Sequence, residues 1–193
     1  VVVVDVKAAG VSFPEVLQTR GEYQYKPDPP FVPGSEVAGV VRSASNDSGF
    51  MPGDRVMAFC VSGGFAEVVA SPAAMTFALP DGLDFAQGAA LILNYHTAWF
   101  SLVTRGRLTA GETVLIHGAA GGVGTATIQV AKGLGARTIA VVSSEEKAEV
   151  ATAAGASDVV RSDGPWKDDV LALTGGAGVN LIIDPVGGDR FTD

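Results

Sequence analysis

The 193 residues contain one cysteine, Cys60, and two histidines, His96 and His117. No internal disulfide can form. The supply of soft metal ligands is also thin, because structural zinc takes about four Cys or His ligands and catalytic zinc about three protein ligands. A zinc site would have to lean on carboxylates. Basic charge is scarce as well: 13 Lys and Arg against 21 Asp and Glu leave a net charge of −8. A surface of that sign repels phosphate backbones and anionic lipid, so neither nucleic acid nor a membrane is the expected partner, and an anionic cofactor would need a local positive pocket. No apolar run approaches the roughly 20 residues that span a bilayer, and no basic-then-apolar signal stands at the start. With 47% hydrophobic residues, the expectation is a folded, cytoplasmic protein with one sizeable core or two small ones.

From Val1 to about Ala90 short β-like runs are punctuated by Gly and Pro. Strands are expected over Val1 to Ala8, Glu36 to Arg42, Arg55 to Phe59 and Phe65 to Ala70, with one short helix from Pro14 to Arg20. After Pro80 the texture changes. Phe85 to Leu93 and Tyr95 to Val103 carry apolar residues at helical spacing, and strands then alternate with helices to the end. Strands are expected at Thr113 to His117, Arg137 to Val142, Asp158 to Val160 and Asn180 to Asp184. Helices are expected at Val123 to Leu134, Glu145 to Ala154 and Lys167 to Thr174. Val114-Leu115-Ile116 and Leu181-Ile182-Ile183 are apolar on both faces, as a parallel sheet covered by helices requires. A doubly wound dinucleotide fold needs about six parallel strands and four are legible, while the first strand opens at Val1, so truncation is expected at both ends.

The stretch from Thr113 to Gly124 sets glycines where a buried strand turns into a helix. Gly121 and Gly122 let backbone N–H groups approach a pyrophosphate, and Gly124 lets the helix pack close to the sheet. Ala119 stands in place of the first glycine of the usual G-x-G-x-x-G, and the bland alternative is a turn that only permits tight packing. At the tip of the next strand stand Val142, Ser143 and Ser144, with Lys147 one helical turn on and Arg161 after the third strand as a second cation. No carboxylate at the strand tip repels a 2′-phosphate there, which favours NADPH over NADH, although Glu145 and Glu146 add negative charge nearby. Ser143 and Glu146 also have the spacing of a capping box, which would serve helix stability alone.

Seven strings in order, GVSFPEVLQTRGEYQ, FVPGSEVAGVV, PGDRVMA, GGFAEVV, NYHTAWFSL, HGAAGGVG and DPVGG, cover nearly the whole chain. The chain thereby resembles the zinc-free quinone oxidoreductase (zeta-crystallin) branch of the medium-chain dehydrogenase/reductase superfamily. The resemblance implies an α/β protein, with a GroES-like β-rich catalytic domain over residues 1–90 and a partial Rossmann domain over residues 91–193. Zinc members carry a Cys-His pair and a Gly-His-Glu where this chain has Ser12-Phe13 and Gly34-Ser35-Glu36. The resemblance therefore implies hydride delivery from NADPH to a quinone or α,β-unsaturated carbonyl without metal, by an enzyme that is a homodimer when complete. It puts the cofactor along Ala120, Gly121, Gly122 and Val123, with Ser143 and Lys147 at the adenosine phosphate, Ser162 beside them, and Thr97 near the nicotinamide. Members commonly carry Asn at Ser12, often Tyr at Leu17, and Tyr or His at Ser162, so substrate identity stays open.

Reduction of an enone needs a proton donor, and Tyr23 matches the position of a catalytic tyrosine in related enoyl reductases. The same hydroxyl suits an oxyanion in quinone reduction, and the bland reading is a loop aromatic packed over the cleft. Ser12 suits either a hydrogen bond to carboxamide or substrate, or a cap on the Pro14 helix. Asp184 suits ribose binding or the order of the turn from Pro185 to Gly187. His117 is expected to bond locally and His96 to be structural. Two further functions stay open: an enoyl-thioester reductase of a polyketide or fatty-acid pathway, and a catalytically idle nucleotide-binding module.

Overall fold

The computed structural model describes residues 1–188, and its chain contacts form two compact units that divide after Leu93. The last five residues of the expected Rossmann domain lie outside the described residues.

The first unit is built on a five-stranded antiparallel sheet. Its strands are β1 (Val2–Ala9), β2 (Glu36–Ala44), β3 (Arg55–Phe59), β4 (Val68–Ser71) and β5 (Thr76–Ala78), in spatial order β4-β1-β2-β3-β5. Alternation along β1 turns Val2 and Val4 inward, where they meet Val37, Val41, Val56, Ala58 and Val69 in one valine-rich core. Helix α1 (Phe13–Thr19) leaves β1, and α2 (Phe85–Ala89) packs on β1, β2 and β3. Asp84 starts α2 with a full capping box, its Oδ1 accepting from Gln87 N–H while Gln87 returns Oε1 to Asp84 N–H.

Two strand expectations shift. The run expected from Phe65 begins as β4 only at Val68, because Gly64 and Phe65 donate their N–H groups to Gly34 and Pro33 rather than to a ladder. The three residues of β5, preceded by a 3₁₀ turn at Ala73–Met75, are too short to show alternation in sequence.

Helix α3 (Ile92–Trp99) runs on into a π-helical turn, Phe100–Arg105. Sequence periodicity suggested a break near Asn94 and a regular helix to Val103. The break falls instead between Ala89 and Ile92, where the buried Glu36 carboxylate accepts the N–H of Leu93 in the first turn of α3.

The second unit is a four-stranded parallel sheet, β6 (Thr113–His117), β7 (Arg137–Val142), β8 (Asp158–Arg161) and β9 (Leu181–Ile183), in order β8-β7-β6-β9. Helices α4 (Gly122–Gly133), α5 (Glu145–Ala154) and α6 (Trp166–Leu173) connect the strands. Alternation sorts the core into two faces. Val114, Ile116, Ala140 and Val142 pack with Ile128, Ala131 and Ala151 of α4 and α5, while Leu115, Ile139, Val141 and Val160 pack with Val170 of α6. This is a doubly wound α/β sheet. Among the described residues no helix is long and apolar enough to cross a membrane.

Candidate functional site

The turn between β6 and α4 holds the first cluster. Gly118 takes φ +59°, and Gly121 is the N-cap of α4 in extended geometry with no side chain capping the helix. A β-carbon on Gly124 would stand 2.4 Å from Gly118 O and 2.6 Å from Ala119 Cα, so only glycine lets the first turn of α4 press onto the strand exit. Gly121 spends its own N–H on Gly118 O at 2.9 Å. The first-turn N–H groups of α4 that a helix leaves without an intrahelical partner follow it in the chain, from Gly122 on. Beside Gly122 lies Asn94, whose amide nitrogen would be 2.9 Å from a β-carbon at that position. Sequence reasoning gave Asn94 no role, since an asparagine on a helix carries no periodic signal.

A hollow of about 410 Å³ opens at this turn, lined by Ala120, Gly121, Val142, Ser143, Lys147 and Val186. Lys147 Nζ donates to Ser143 Oγ at 2.8 Å on its wall. The cap of α5 is Ser144, whose Oγ accepts Lys147 N–H at 3.3 Å, so the capping spacing assigned to Ser143 is corrected by one residue. Ser143 is thereby left with its side chain on the ammonium. Arg161 braces the same loop, donating to Ser143 O at 3.2 Å while pairing with Asp163 at 2.8 Å and Glu145 at 3.7 Å. Ser162 is not among the residues lining the hollow; its N–H continues the ladder to Val142 O at 2.8 Å.

A second hollow, about 450 Å³, gathers Thr97, Arg105, Val123, Ile183, Asp184 and Pro185. Thr97 and Val123, far apart in sequence, share this wall. Asp184 Oδ1 accepts the N–H groups of Val186 and Gly187, both at 2.9 Å, which orders the turn after β9. His117 is buried at 2% exposure and meets Trp166 edge-on, ring centroids 4.9 Å apart. His96 is exposed.

The remaining sequence-derived residues lie in the first unit. Ser12 is the N-cap of α1, and its N–H donates to Glu15 Oε2 at 2.9 Å. Glu15 Oε1 accepts both the hydroxyl and the N–H of Ser35, at 2.6 and 3.1 Å. Ser12 Oγ turns the other way, donating to Glu36 Oε1 at 3.4 Å. Burial pushes the Glu36 carboxyl above its ordinary range and the charge of Glu15 adds to this, against the opposing bonds from Leu93 and Ser12. Cys60 lies near the same two carboxylates, and burial first, then those charges, push its thiol up to about 11. Tyr23 sits half-buried in the loop after α1, outside this network. The donors gathered here, two hydroxyls and two carboxylates already bonded to one another, do not fit a zinc ion. Among the described residues no group of three or more His, Cys, Asp or Glu is placed to hold a metal.

Two family models match the chain: the alcohol dehydrogenase GroES-like domain over residues 1–81 and the zinc-binding dehydrogenase over residues 122–193. Quinone oxidoreductase of Rattus norvegicus is 41% identical over 186 residues, 95% of this chain and 56% of that protein. A probable oxidoreductase from Mycobacterium abscessus superposes with a TM-score of 0.93 at 55% identity, covering 96% of this chain and 60% of its own. The quinone oxidoreductase of Thermus thermophilus, whose structure was also determined in complex with NADPH, gives 0.84 at 34% identity, with 99% and 60% covered. The chain spans just over half the length of the curated relatives it matches. Ordered motifs, fold and relatives agree: the chain belongs to the quinone oxidoreductase branch of the medium-chain dehydrogenase/reductase superfamily.

Proposed function

We propose that the polypeptide carrying this chain is an NADPH-dependent reductase that passes hydride to a quinone or an α,β-unsaturated carbonyl without a metal. The observation that carries the reading is the Lys147–Ser143 pair on the wall of a hollow at an uncapped helix N-terminus, where the strand tip offers no carboxylate. An ammonium and a hydroxyl held 2.8 Å apart suit the extra phosphate that distinguishes NADPH from NADH. The NADPH complexes of related quinone oxidoreductases from Thermus thermophilus and Escherichia coli support the same cofactor.

When bound, NADPH would supply the hydride. The first-turn N–H groups of α4 hold the pyrophosphate by their partial positive charge. Lys147 and Ser143 hold the adenosine phosphate, and Thr97 and Val123 shape the nicotinamide end. Tyr23 is the group proposed to hold the substrate oxygen as negative charge develops, or to give the proton. Serines at positions 12 and 35 and the engaged carboxylates of Glu15 and Glu36 support chemistry without a Lewis acid. A cytoplasmic homodimer is part of this reading.

The test follows NADPH absorbance at fixed cofactor while the full-length polypeptide is offered a quinone, an enone, or neither. Oxidation should require the acceptor and should be unchanged by a chelator at millimolar concentration. Loss of activity on chelation would contradict the metal-free mechanism, and no oxidation with any acceptor would reject the enzyme.

A further inference from the structure

Ser143 is the first residue past the paired part of β7. Val142, just before it, pairs with Arg161, and Val142 O accepts the N–H of Ser162 at 2.8 Å. Ser144, just after it, caps α5. Between these neighbours the exposed Ser143 is held at two atoms. Lys147 Nζ donates to its Oγ at 2.8 Å, and Arg161 Nη2 donates to its carbonyl oxygen at 3.2 Å. The guanidinium is directed at this loop rather than at the hollow. Both Nη2 hydrogens are engaged, the second on Asp163 Oδ2 at 2.8 Å, and Nη1 faces Glu145 Oε2 at 3.7 Å. Its Nε is buried and meets no acceptor among the described residues, and Arg161 does not line the hollow. Two carboxylates also offset its charge.

We infer that Arg161 is a positioning residue for coenzyme selection. By fixing the Ser143 carbonyl it keeps the Ser143 hydroxyl on Lys147 at the hollow, where the pair receives the 2′-phosphate of NADPH, and it touches no phosphate itself. This rests on the reading above, in which Lys147 and Ser143 hold that phosphate. The second cation expected from the sequence thus acts through Ser143. A carbonyl released by Arg161 lets the Ser143 peptide turn, and the hydroxyl turns with it. NADH lacks the phosphate, so its binding does not register where Ser143 Oγ points.

The test is a double-mutant cycle read by calorimetric titration of the full-length polypeptide with NADPH and with NADH. Arg161→Met is made together with Asp163→Asn, which removes one charge of each sign and leaves the net charge of the loop as it was. The two side chains are 39% and 63% exposed, so the fold tolerates both changes. With Ser143 present, the paired substitution should cut the preference for NADPH about fivefold, the usual effect of losing one hydrogen bond, with NADH affinity kept. In a Ser143→Ala background Lys147 still sustains part of the preference. There the same pair should change the ratio by less than about twofold, because the residue it acts through is gone. An equal loss in both backgrounds would make Arg161 a direct phosphate ligand and overturn the inference. So would an unchanged preference with Ser143 present, or a matching loss of NADH affinity, which is what simple support of the fold produces. A parent protein with no preference for NADPH is a separate result, visible before any variant is made, that removes the proposed function and this inference with it.

Discussion

Gly124 and Cys60 show what single side chains decide here. A methyl group at Gly124 would meet the backbone of Gly118 and Ala119, which cannot swing aside as a flexible side chain can. Gly124→Ala should therefore destabilise the second unit by about 1–3 kcal/mol, the usual cost of overpacking, and weaken cofactor binding by displacing the turn. Denaturant unfolding and a binding titration check both, and unchanged stability would refute the close packing. Cys60 makes a prediction of opposite kind. With its thiol pushed up to about 11, almost none is thiolate at pH 8, and iodoacetamide should label it more than tenfold more slowly than free cysteine. The rate should climb with pH through that value, and fast labelling at pH 8 would contradict the buried setting beside Glu15 and Glu36. Both effects sit partly beyond the sequence. The glycine at position 124 was legible from its motif, but nothing in the string around Cys60 announces two carboxylates from α1 and β2.

At the scale of elements, the β7–α5 junction separates a stabilising serine from one placed at a ligand hollow. Ser144→Ala removes the cap of α5 and should cost about 1 kcal/mol of stability with NADPH affinity nearly kept. Ser143→Ala removes the partner of Lys147 Nζ and should do the reverse. Measuring unfolding and affinity on both variants tests the division, and exchanged behaviour would restore the one-residue-earlier cap that spacing alone suggested. Sequence placed β6, β7, α4 and α5 well, because doubly buried strands and long helices carry strong patterns. It missed β5, misplaced the start of β4 and passed over the π turn at Phe100–Arg105. At β4 the cause is visible: backbone hydrogen bonds to distant residues, such as Phe65 N–H on Pro33 O, override the local pattern.

For the whole molecule, two architectures were readable from texture alone, a Gly- and Pro-punctuated β region and an alternating α/β region, and both are present. What sequence could not supply was which polar groups meet. The turn from Ala120 to Val123 was found from its glycines, and Ser143 with Lys147 from position at a strand tip. The engagement of Ser12 by Glu36 joins residues 24 apart and becomes visible only once β2 lies beside α1.

The most direct measurement is calorimetric titration of the full-length polypeptide with NADPH and with NADH, before and after Lys147→Ala. The expected result is NADPH binding at least tenfold tighter than NADH, a gap that closes in the variant through loss of NADPH affinity alone, as removal of a charge-assisted bond to phosphate requires. Equal affinity for the two coenzymes, or a gap that survives Lys147→Ala, would contradict it.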